Sequence, residues 1–196
     1  EYGFFSCSYG IINVYLFMLF FGGIILDKMG IRFTGSMASS LMVIGAFIKF
    51  YAIAYISPEG TTYVNLPMFG LDHVMVKNQM LLASLGFSIF GVGCEITGIT
   101  VSKIITKWFT GHELALAMGI QVALARLGTA GALSISVPIA KSFSLSTPIL
   151  FGASMLCIGL LAFFTYCIMD KKLDASTDAI NARNNTEEEE GFKFKD

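Results

Sequence analysis

Two long apolar stretches of the sequence each contain a single charged side chain. In Met80–Ser102 it is Glu95, and in Leu114–Ala140 it is Arg126. A charged group in hydrocarbon costs at least about 2.5–3.5 kcal/mol, so such residues usually face a partner or a water-filled cavity. A guanidinium offers a fork for a carboxylate, and a carboxylate accepts an ammonium group. Together, the two residues are suited to binding the opposite ends of a zwitterion.

The same two residues allow other interpretations. In the simplest one, Glu95 and Arg126 pair with each other and only hold their helices together, although apolar residues often stabilise a protein as well as a buried ion pair does. Counted at about 1.5 Å per residue, Glu95 lies about 6 Å from the centre of its stretch and Arg126 lies near the centre of its own. This offset matches an extended peptide of about two residues. Glu95 could also take up a proton, because burial disfavours the charged carboxylate.

The composition of the chain indicates what positions these residues. Of its 196 residues, 55% are hydrophobic and 14% are charged, and the net charge is −1. This is too apolar for a soluble domain, and the charge balance gives no indication of a nucleic-acid partner. A membrane span needs about 20 apolar residues, with all backbone groups bonded inside the helix. We therefore predict an all-α polytopic membrane bundle with spans at about 4–26, 33–56, 80–102, 114–140 and 143–169.

Each of the two charges lies on a helix face made of small residues. Steps of three and four place Glu95 among serines and glycines, and Arg126 among glycines and alanines. The first set is Ser84, Ser88, Gly91, Gly98 and Ser102, and the second is Gly119, Ala123 and Ala130. Since lipid-facing surfaces are large and apolar, we expect Glu95 to point into the protein or a cavity. Helices with small faces can pack closely or leave room for a ligand.

Basic residues near the span ends predict the orientation. One side of the membrane has six of them and the other has two or three, so the positive-inside rule places the first side in the cytoplasm. The six are Lys28, Arg32, Lys103, Lys107, Lys171 and Lys172. The acidic tail at 170–196 lies on the same side, and we expect it to be disordered because it has no helical or strand period. Lys49 lies about two turns from the end of the second span, where a lysine can extend to the lipid headgroups.

The other reactive residue types predict no chemistry. The four cysteines fall inside predicted spans without metal-ligand spacing, and we interpret them as packing residues. They are Cys7, Cys94, Cys157 and Cys167. His73 lies in a polar connection, residues 57–79, that we expect to be an exposed loop. We find no nucleophile–base pair, phosphate loop or metal motif, and we predict neither an enzyme nor a bound cofactor or metal.

The short loop between the first two spans carries a spaced pattern of glycine and charged residues. The pattern is Gly23-x-x-x-Asp27-Lys28-x-Gly30-x-Arg32. It resembles the signature loop of the major facilitator superfamily, which in that family lies between transmembrane helices two and three. The resemblance implies that the five spans are helices two to six of an N-terminal six-helix domain whose first helix is missing. The acidic tail would then begin the central cytoplasmic loop.

In this family the signature loop helps to hold one of the alternating-access states. The resemblance therefore implies a charge cluster that joins Asp27 and Arg32 to neighbouring helices. Gly23 would permit a close approach between helices, and Gly30 a tight turn. Ile31 stands where Lys or Arg is frequent, which weakens the charge network. The alternative is a plain loop that carries only positive-inside charges.

A more detailed resemblance covers about Gly91 to Gly131. Its motifs are Gly91-x-Gly93-x-Glu95, Lys107-Trp108-Phe109-x-Gly111-x-Glu113-Leu114-Ala115 and Ala125-Arg126-Leu127-Gly128. They are similar to the branch of the superfamily that contains a lysosomal dipeptide uniporter, where a helix-four Glu and a helix-five Arg bind the termini of the peptide. Glu95 and Arg126 match these positions with the same separation of 31 residues. The resemblance implies transport of a short peptide or an amino-acid-like solute, with both residues binding substrate.

The partners expected from this resemblance are a small-molecule solute, the lipid bilayer and the C-terminal bundle of the same transporter, with protons added if Glu95 titrates. One rival function is a proton-coupled organic-anion carrier in which Arg126 binds the anion. A rival of another class is a membrane receptor or assembly subunit that transports nothing. We favour a bacterial inner membrane as the location, with a lysosomal membrane as the alternative in a eukaryote.

Overall fold

A computed structural model describes residues 2–10, 18–57, 59–66, 71–109 and 113–191. For residues 2, 4, 64–66, 71–74 and 179–191 it describes the backbone alone. In chain order the elements are α1 (Tyr2–Gly10), α2 (Met18–Tyr55), β1 (Thr61–Leu66), β2 (Leu71–Lys77), α3 (Asn78–Trp108), α4 (Glu113–Ser142) and α5 (Thr147–Gly191). The chain divides into two compact units, Glu1–Leu160 and Leu161–Asp196. The predicted all-α membrane bundle is confirmed.

Among the described residues, four helices are long and apolar enough to cross a membrane. They are Met18–Tyr55, Asn78–Trp108, Glu113–Ser142 and Thr147–Asp178. The predicted third and fourth spans lie inside α3 and α4. Since the last predicted span starts at residue 143, α5 begins four residues late. The reason is a turn closed by the Ser144 and Thr147 hydroxyls, 2.9 Å apart, after which Pro148 suits the first helical turn.

The loop predicted between the first two spans is reduced to a break at one residue. Gly30 interrupts α2 with φ +79° and ψ 172°, and the backbone is helical on both sides of it. Only glycine adopts such backbone angles readily, because a side chain would clash there. The predicted first span at 4–26 is described only at its two ends, since residues 11–17 lie outside the described part of the chain.

The closest helix packing in the first unit joins α2 to α3. A Cβ atom built on Gly45 would lie 2.5 Å from the Phe90 backbone nitrogen and 2.6 Å from the Gly86 carbonyl oxygen. One built on Gly93 would lie 2.6 Å from the carbonyl oxygen of Ala38. Glycine and alanine therefore let the two backbones touch, which is how small residues drive helix association in membranes. This seam supports the segment of α3 that carries Glu95.

The expectation of a plain loop at 57–79 is wrong. Strands β1 and β2 pair as an antiparallel hairpin, with Thr61 opposite Lys77 and Tyr63 opposite Met75. The strands are rich in β-branched residues and tyrosine, which have high strand propensity. A hydrogen bond of 2.8 Å from the Asn78 backbone N–H to the Gly60 carbonyl joins the hairpin to the start of α3. The side chain of His73 lies outside the described residues.

In the second unit the backbone of α5 is helical through Gly191, whereas the sequence predicts a disordered tail from residue 170. No proline or glycine interrupts residues 170–190, so no residue there breaks the helix. The hydroxyls of Ser176 and Thr177 donate to the carbonyl of Leu173, one turn earlier. The division of the chain into five spans and a disordered cytoplasmic tail stays a prediction.

Candidate functional site

Glu95 contacts α1 from the middle of α3. The side chain is half-buried, and its Oε1 atom accepts a hydrogen bond of 2.6 Å from the hydroxyl of Tyr9, 86 residues earlier in the chain. This length is typical of a hydroxyl that donates to a charged carboxylate. No cation contacts Glu95 within the part of the chain that the structure describes. The hydrogen-bond partner that the structure describes for this carboxyl group is therefore a neutral hydroxyl.

Two further contacts hold α1 against α3 beside this hydrogen bond. The Ser88 hydroxyl donates to the carbonyl oxygen of Ser8 over 2.7 Å, at a buried position. The rings of Phe5 and Phe87 stack with their centroids 4.8 Å apart and their planes 7° apart. The face that contains Glu95 therefore packs against α1 through the hydrogen bonds of Glu95 and Ser88.

Lys49 is a charge on α2, the second helix that packs against α3, and the sequence suggested a different place for it. Instead of extending to headgroups, its Nζ atom lies 4.3 Å from the ring centroid of Phe90 and 5.1 Å from that of Phe87. These distances are within the range of cation–π attraction. No carboxylate pairs with Lys49 among the described residues. The signal that could have indicated this position is two aromatic residues three apart on the facing helix.

Arg126 is placed quite differently from Glu95. It lies on α4, where it is exposed, and α4 has no buried residue. Its guanidinium makes no hydrogen bond and no ion pair with any residue that the structure describes. The interpretation that Glu95 and Arg126 pair only to hold two helices together therefore has no contact to support it.

The two predicted small faces do not pack against each other. A Cβ atom built on Gly119, Gly128 or Gly131 of α4 would meet nothing within 4 Å, and the same holds for Gly98 of α3. Between α3 and α4 lies instead an apolar groove of about 510 Å³, lined by Val101, Ile105, Phe109, Glu113, Leu116, Ala117, Ile120, Gln121 and Leu124. The structure thus assigns the close contacts of α3 to α1 and α2.

The signature-loop residues surround the break in α2. The Lys103 ammonium lies 2.6 Å from Oδ1 of Asp27, which joins this loop to the end of α3. Gly30 forms the break itself, as the resemblance implies for a turn. The close helix approach falls on Gly22 rather than on Gly23: a Cβ on Gly22 would lie 2.6 Å from a side-chain carbon of Ile96, and one on Gly23 would meet nothing.

None of these groups forms a metal-binding cluster. Among the described residues, no three His, Cys, Asp or Glu side chains come together in a way that could hold an ion. At Glu95, one hydroxyl positions the carboxylate, and a carboxylate is a group that can accept a hydrogen bond from an ammonium group.

The chain is similar to curated proteins named lysosomal dipeptide transporter MFSD1. It is 26% identical to the Danio rerio protein over 168 residues, which are 80% of this chain and 32% of that protein. It is 28% identical to the Bos taurus protein and 27% identical to the Homo sapiens protein over 113 residues, 57% of this chain. Those segments cover 19% and 20% of the relatives. No family model and no solved structure matches the chain.

The chain therefore spans about a third or less of the length of the curated relatives it matches. These relatives are membrane transporters of the major facilitator superfamily and not enzymes. The resemblance predicted from the loop pattern and from the motifs of Gly91–Gly131 is confirmed: this multi-pass membrane chain is similar to one part of the lysosomal dipeptide transporters of that superfamily.

Proposed function

We propose that this chain is the N-terminal part of a major-facilitator transporter that moves a dipeptide or a related amino-acid-like zwitterion by alternating access. Six curated relatives carry the name of a lysosomal dipeptide transporter, which supports the solute class. The positions of Glu95 and Arg126, at the spacing that the branch uses for the two ends of a peptide, support the site.

The observation that carries the proposal is the state of Glu95. Its carboxylate lies half-buried in a helix that could cross a membrane, with the Tyr9 hydroxyl as a neutral donor and no cation among the described residues. Buried charges are usually paired, because removal from water without a partner costs several kcal/mol, on the order of the whole stability margin. The ammonium group of a solute would supply the missing charge.

We assign the carboxylate end of the solute to Arg126. A guanidinium binds a carboxylate through two parallel hydrogen bonds, and such a fork also orients the bound group. Arg126 is exposed and is engaged by no described residue, so it can accept a ligand without first breaking an ion pair. A dipeptide would thereby connect α3 to α4 through its two termini.

Alternating access would require a second bundle, which we place in the complete transporter. In such proteins one bundle rocks against the other around a site near the membrane midplane. The contact between Asp27 and Lys103 and the break at Gly30 join the loop to α3, and we propose that they stabilise one of the two states. Protons are not required by this scheme.

We place the transporter in the lysosomal membrane, with the Gly30 loop and the acidic tail in the cytoplasm. The six relatives come from vertebrates, and each is named as a lysosomal protein, which favours this location over a bacterial inner membrane. The cytoplasmic position of the loop follows from the excess of lysine and arginine on that side.

Uptake by the complete transporter in reconstituted vesicles tests the proposal. We expect Arg126→Ala to abolish uptake of a dipeptide while the protein still inserts, and the matched control Lys141→Ala, exposed near the end of the same helix, to transport normally. We expect Glu95→Gln to lose the preference for a free amino terminus over an N-acetylated one. Full dipeptide uptake by Arg126→Ala would remove the assignment.

A proton-coupled organic-anion carrier is the second candidate, and one observation favours it. Lys49 lies over two aromatic rings and, like Arg126, pairs with no carboxylate among the described residues, so two cations on these helices are available to an anion. In this alternative Arg126 binds the anion and Glu95 exchanges a proton. A competition assay discriminates between the two candidates. Dipeptides should inhibit uptake by a dipeptide transporter, and dicarboxylates should inhibit uptake by an organic-anion carrier.

A further inference from the structure

The contact between Tyr9 and Glu95 is the shortest hydrogen bond that the described residues make between α1 and α3, and the proposed function gives the Tyr9 hydroxyl no role in recognising the solute. The phenol oxygen lies 2.6 Å from Oε1 of Glu95. The second carboxylate oxygen, Oε2, accepts no hydrogen bond from any described residue and is not buried. A carboxylate can accept several hydrogen bonds, so one oxygen is held while the other remains available to a ligand.

The position of the Tyr9 hydroxyl is determined by contacts on both sides of it. The neighbouring residue, Ser8, accepts the buried hydrogen bond from Ser88 through its carbonyl oxygen. The Tyr9 ring lies 5.3 Å from the Phe87 ring, and Phe5, one turn earlier, stacks on the same ring. These contacts restrain α1 at Phe5, Ser8 and Tyr9. The Tyr9 side chain is therefore already ordered, and it loses no further conformational entropy when a ligand binds at Glu95.

The Phe87 ring on α3 contacts both Tyr9 and Lys49. The Phe87 ring contacts Tyr9 on one side and lies beside the Lys49 ammonium, 5.1 Å from its centroid. The Lys49 ammonium thus contacts the faces of aromatic rings and not the Glu95 carboxylate. The polar group that contacts this carboxylate is the Tyr9 hydroxyl. Orientation of the carboxylate therefore depends on Tyr9.

We infer that Tyr9 is a positioning residue that sets the recognition of the amino end of the solute: its hydroxyl orients the Glu95 carboxylate so that Oε2 receives the ammonium group. This inference rests on the proposed function. A hydrogen bond between a neutral donor and a carboxylate holds the acceptor in place without neutralising it, whereas a cation in the same position would compete with the ammonium group for the charge.

The test is Tyr9→Phe in the complete transporter, which keeps the ring and removes only the hydroxyl. We expect a rise of about tenfold in the KM for a dipeptide with a free amino group, the size expected for a lost hydrogen bond to a charged group. Inhibition by the N-acetylated dipeptide should not change. The matched control is Tyr51→Phe, on an exposed face of α2, which should leave both values as they are.

A purely structural role for Tyr9 gives a different result. If the hydroxyl only fastens α1 to α3, Tyr9→Phe lowers the thermal stability and leaves the ratio between free and N-acetylated dipeptides unchanged. The double variant Tyr9→Phe with Glu95→Gln separates the cases further. We expect Tyr9→Phe to have no further effect on the ratio between free and N-acetylated dipeptides once Glu95 is replaced by Gln. A purely structural role would instead make the losses of thermal stability of the two single variants additive.

The two proposals fail in distinguishable ways. If Glu95→Gln keeps the preference for a free amino group, the assignment of Glu95 fails and the role of Tyr9 fails with it. If Glu95→Gln loses that preference while Tyr9→Phe retains it in full, the inference about Tyr9 is refuted and the proposed function stands. The selectivity ratio is read only from inserted protein, so poor folding of a variant does not mask either outcome.

Discussion

Gly93→Ala should loosen the seam between α2 and α3 by an amount that can be worked out from the backbone. The added Cβ would lie 2.6 Å from the carbonyl oxygen of Ala38 and 2.8 Å from the backbone nitrogen of Met42. An ordinary contact begins at 3.4 Å, so the helices must separate by about 0.8 Å at this point. A side-chain carbon of Met42 also lies 2.8 Å away, but the other two neighbours are backbone atoms, so a side-chain rotation cannot relieve the whole clash.

The expected loss follows from what overpacking does in well-packed interiors. Forcing extra methyl groups into such a site costs about 1–3 kcal/mol. Replacement of glycine by alanine inside a helix also gains about 1 kcal/mol of helix propensity, which would hide part of the loss. Gly98→Ala on the same helix is the matched control, because its Cβ meets nothing within 4 Å and the same gain applies.

Thermal unfolding of the purified complete transporter in detergent, followed by tryptophan fluorescence or by a thiol-reactive dye, measures the difference. We expect Gly93→Ala to unfold several degrees below Gly98→Ala, as a loss of a few kcal/mol produces in a protein of this size or larger. If the two variants unfold at the same temperature, the close backbone contact at Gly93 does not exist, and the support it gives to the Glu95 segment does not exist either.

Three other changes test the loop and the site. Gly30→Ala should destabilise the protein by about 1–3 kcal/mol, since φ +79° strains any residue with a side chain, whereas Gly23→Ala should not; equal thermal stabilities would contradict this. Asp27→Asn should change stability by less than about 1 kcal/mol, because its contact with Lys103 is exposed, yet it should slow transport; an unchanged turnover would show that the loop is only a connection. A dipeptide at about 100 times its Kd should stabilise the native protein by about 2.7 kcal/mol and should lose much of that effect in Glu95→Gln. If the dipeptide stabilises both proteins equally, it does not bind to the Glu95 carboxylate.

The helices that carry the candidate site could be predicted from the sequence because lipid imposes one simple rule. A run of apolar residues long enough to cross the bilayer must be helical, so α3 and α4 follow from residues 80–102 and 114–140 alone. The hairpin of β1 and β2 could not be predicted from the sequence in the same way. Pro58, Gly60 and Pro67 favour an irregular loop, and the strand propensity of Thr61-Thr62-Tyr63 was outweighed by them.

The contacts of the site depend on tertiary packing, which periodicity does not encode. The small residues around Glu95 predict that something approaches α3 closely, yet they do not say that it is α1 rather than α4. The hydrogen bond from Tyr9 spans 86 residues of sequence and has no local signal. The glycine pattern at Gly22 and Gly23 likewise predicts a close approach but cannot say which glycine faces Ile96, because that depends on the rotation of the helix.

A structural ion pair and a binding site make opposite demands on a buried carboxylate. A structural pair places the nearest available cation on the acid, because a charge left alone in a low-dielectric interior destabilises the fold. Among the described residues no cation pairs with Glu95: Lys49 lies over the rings of Phe90 and Phe87, and Arg126 is exposed on α4. The group that the fold does place on Glu95, the Tyr9 hydroxyl, orients the carboxylate and leaves its charge intact. A charge that is positioned but not neutralised contributes free energy only when a cation arrives from outside, and this is why we interpret Glu95 as a binding residue.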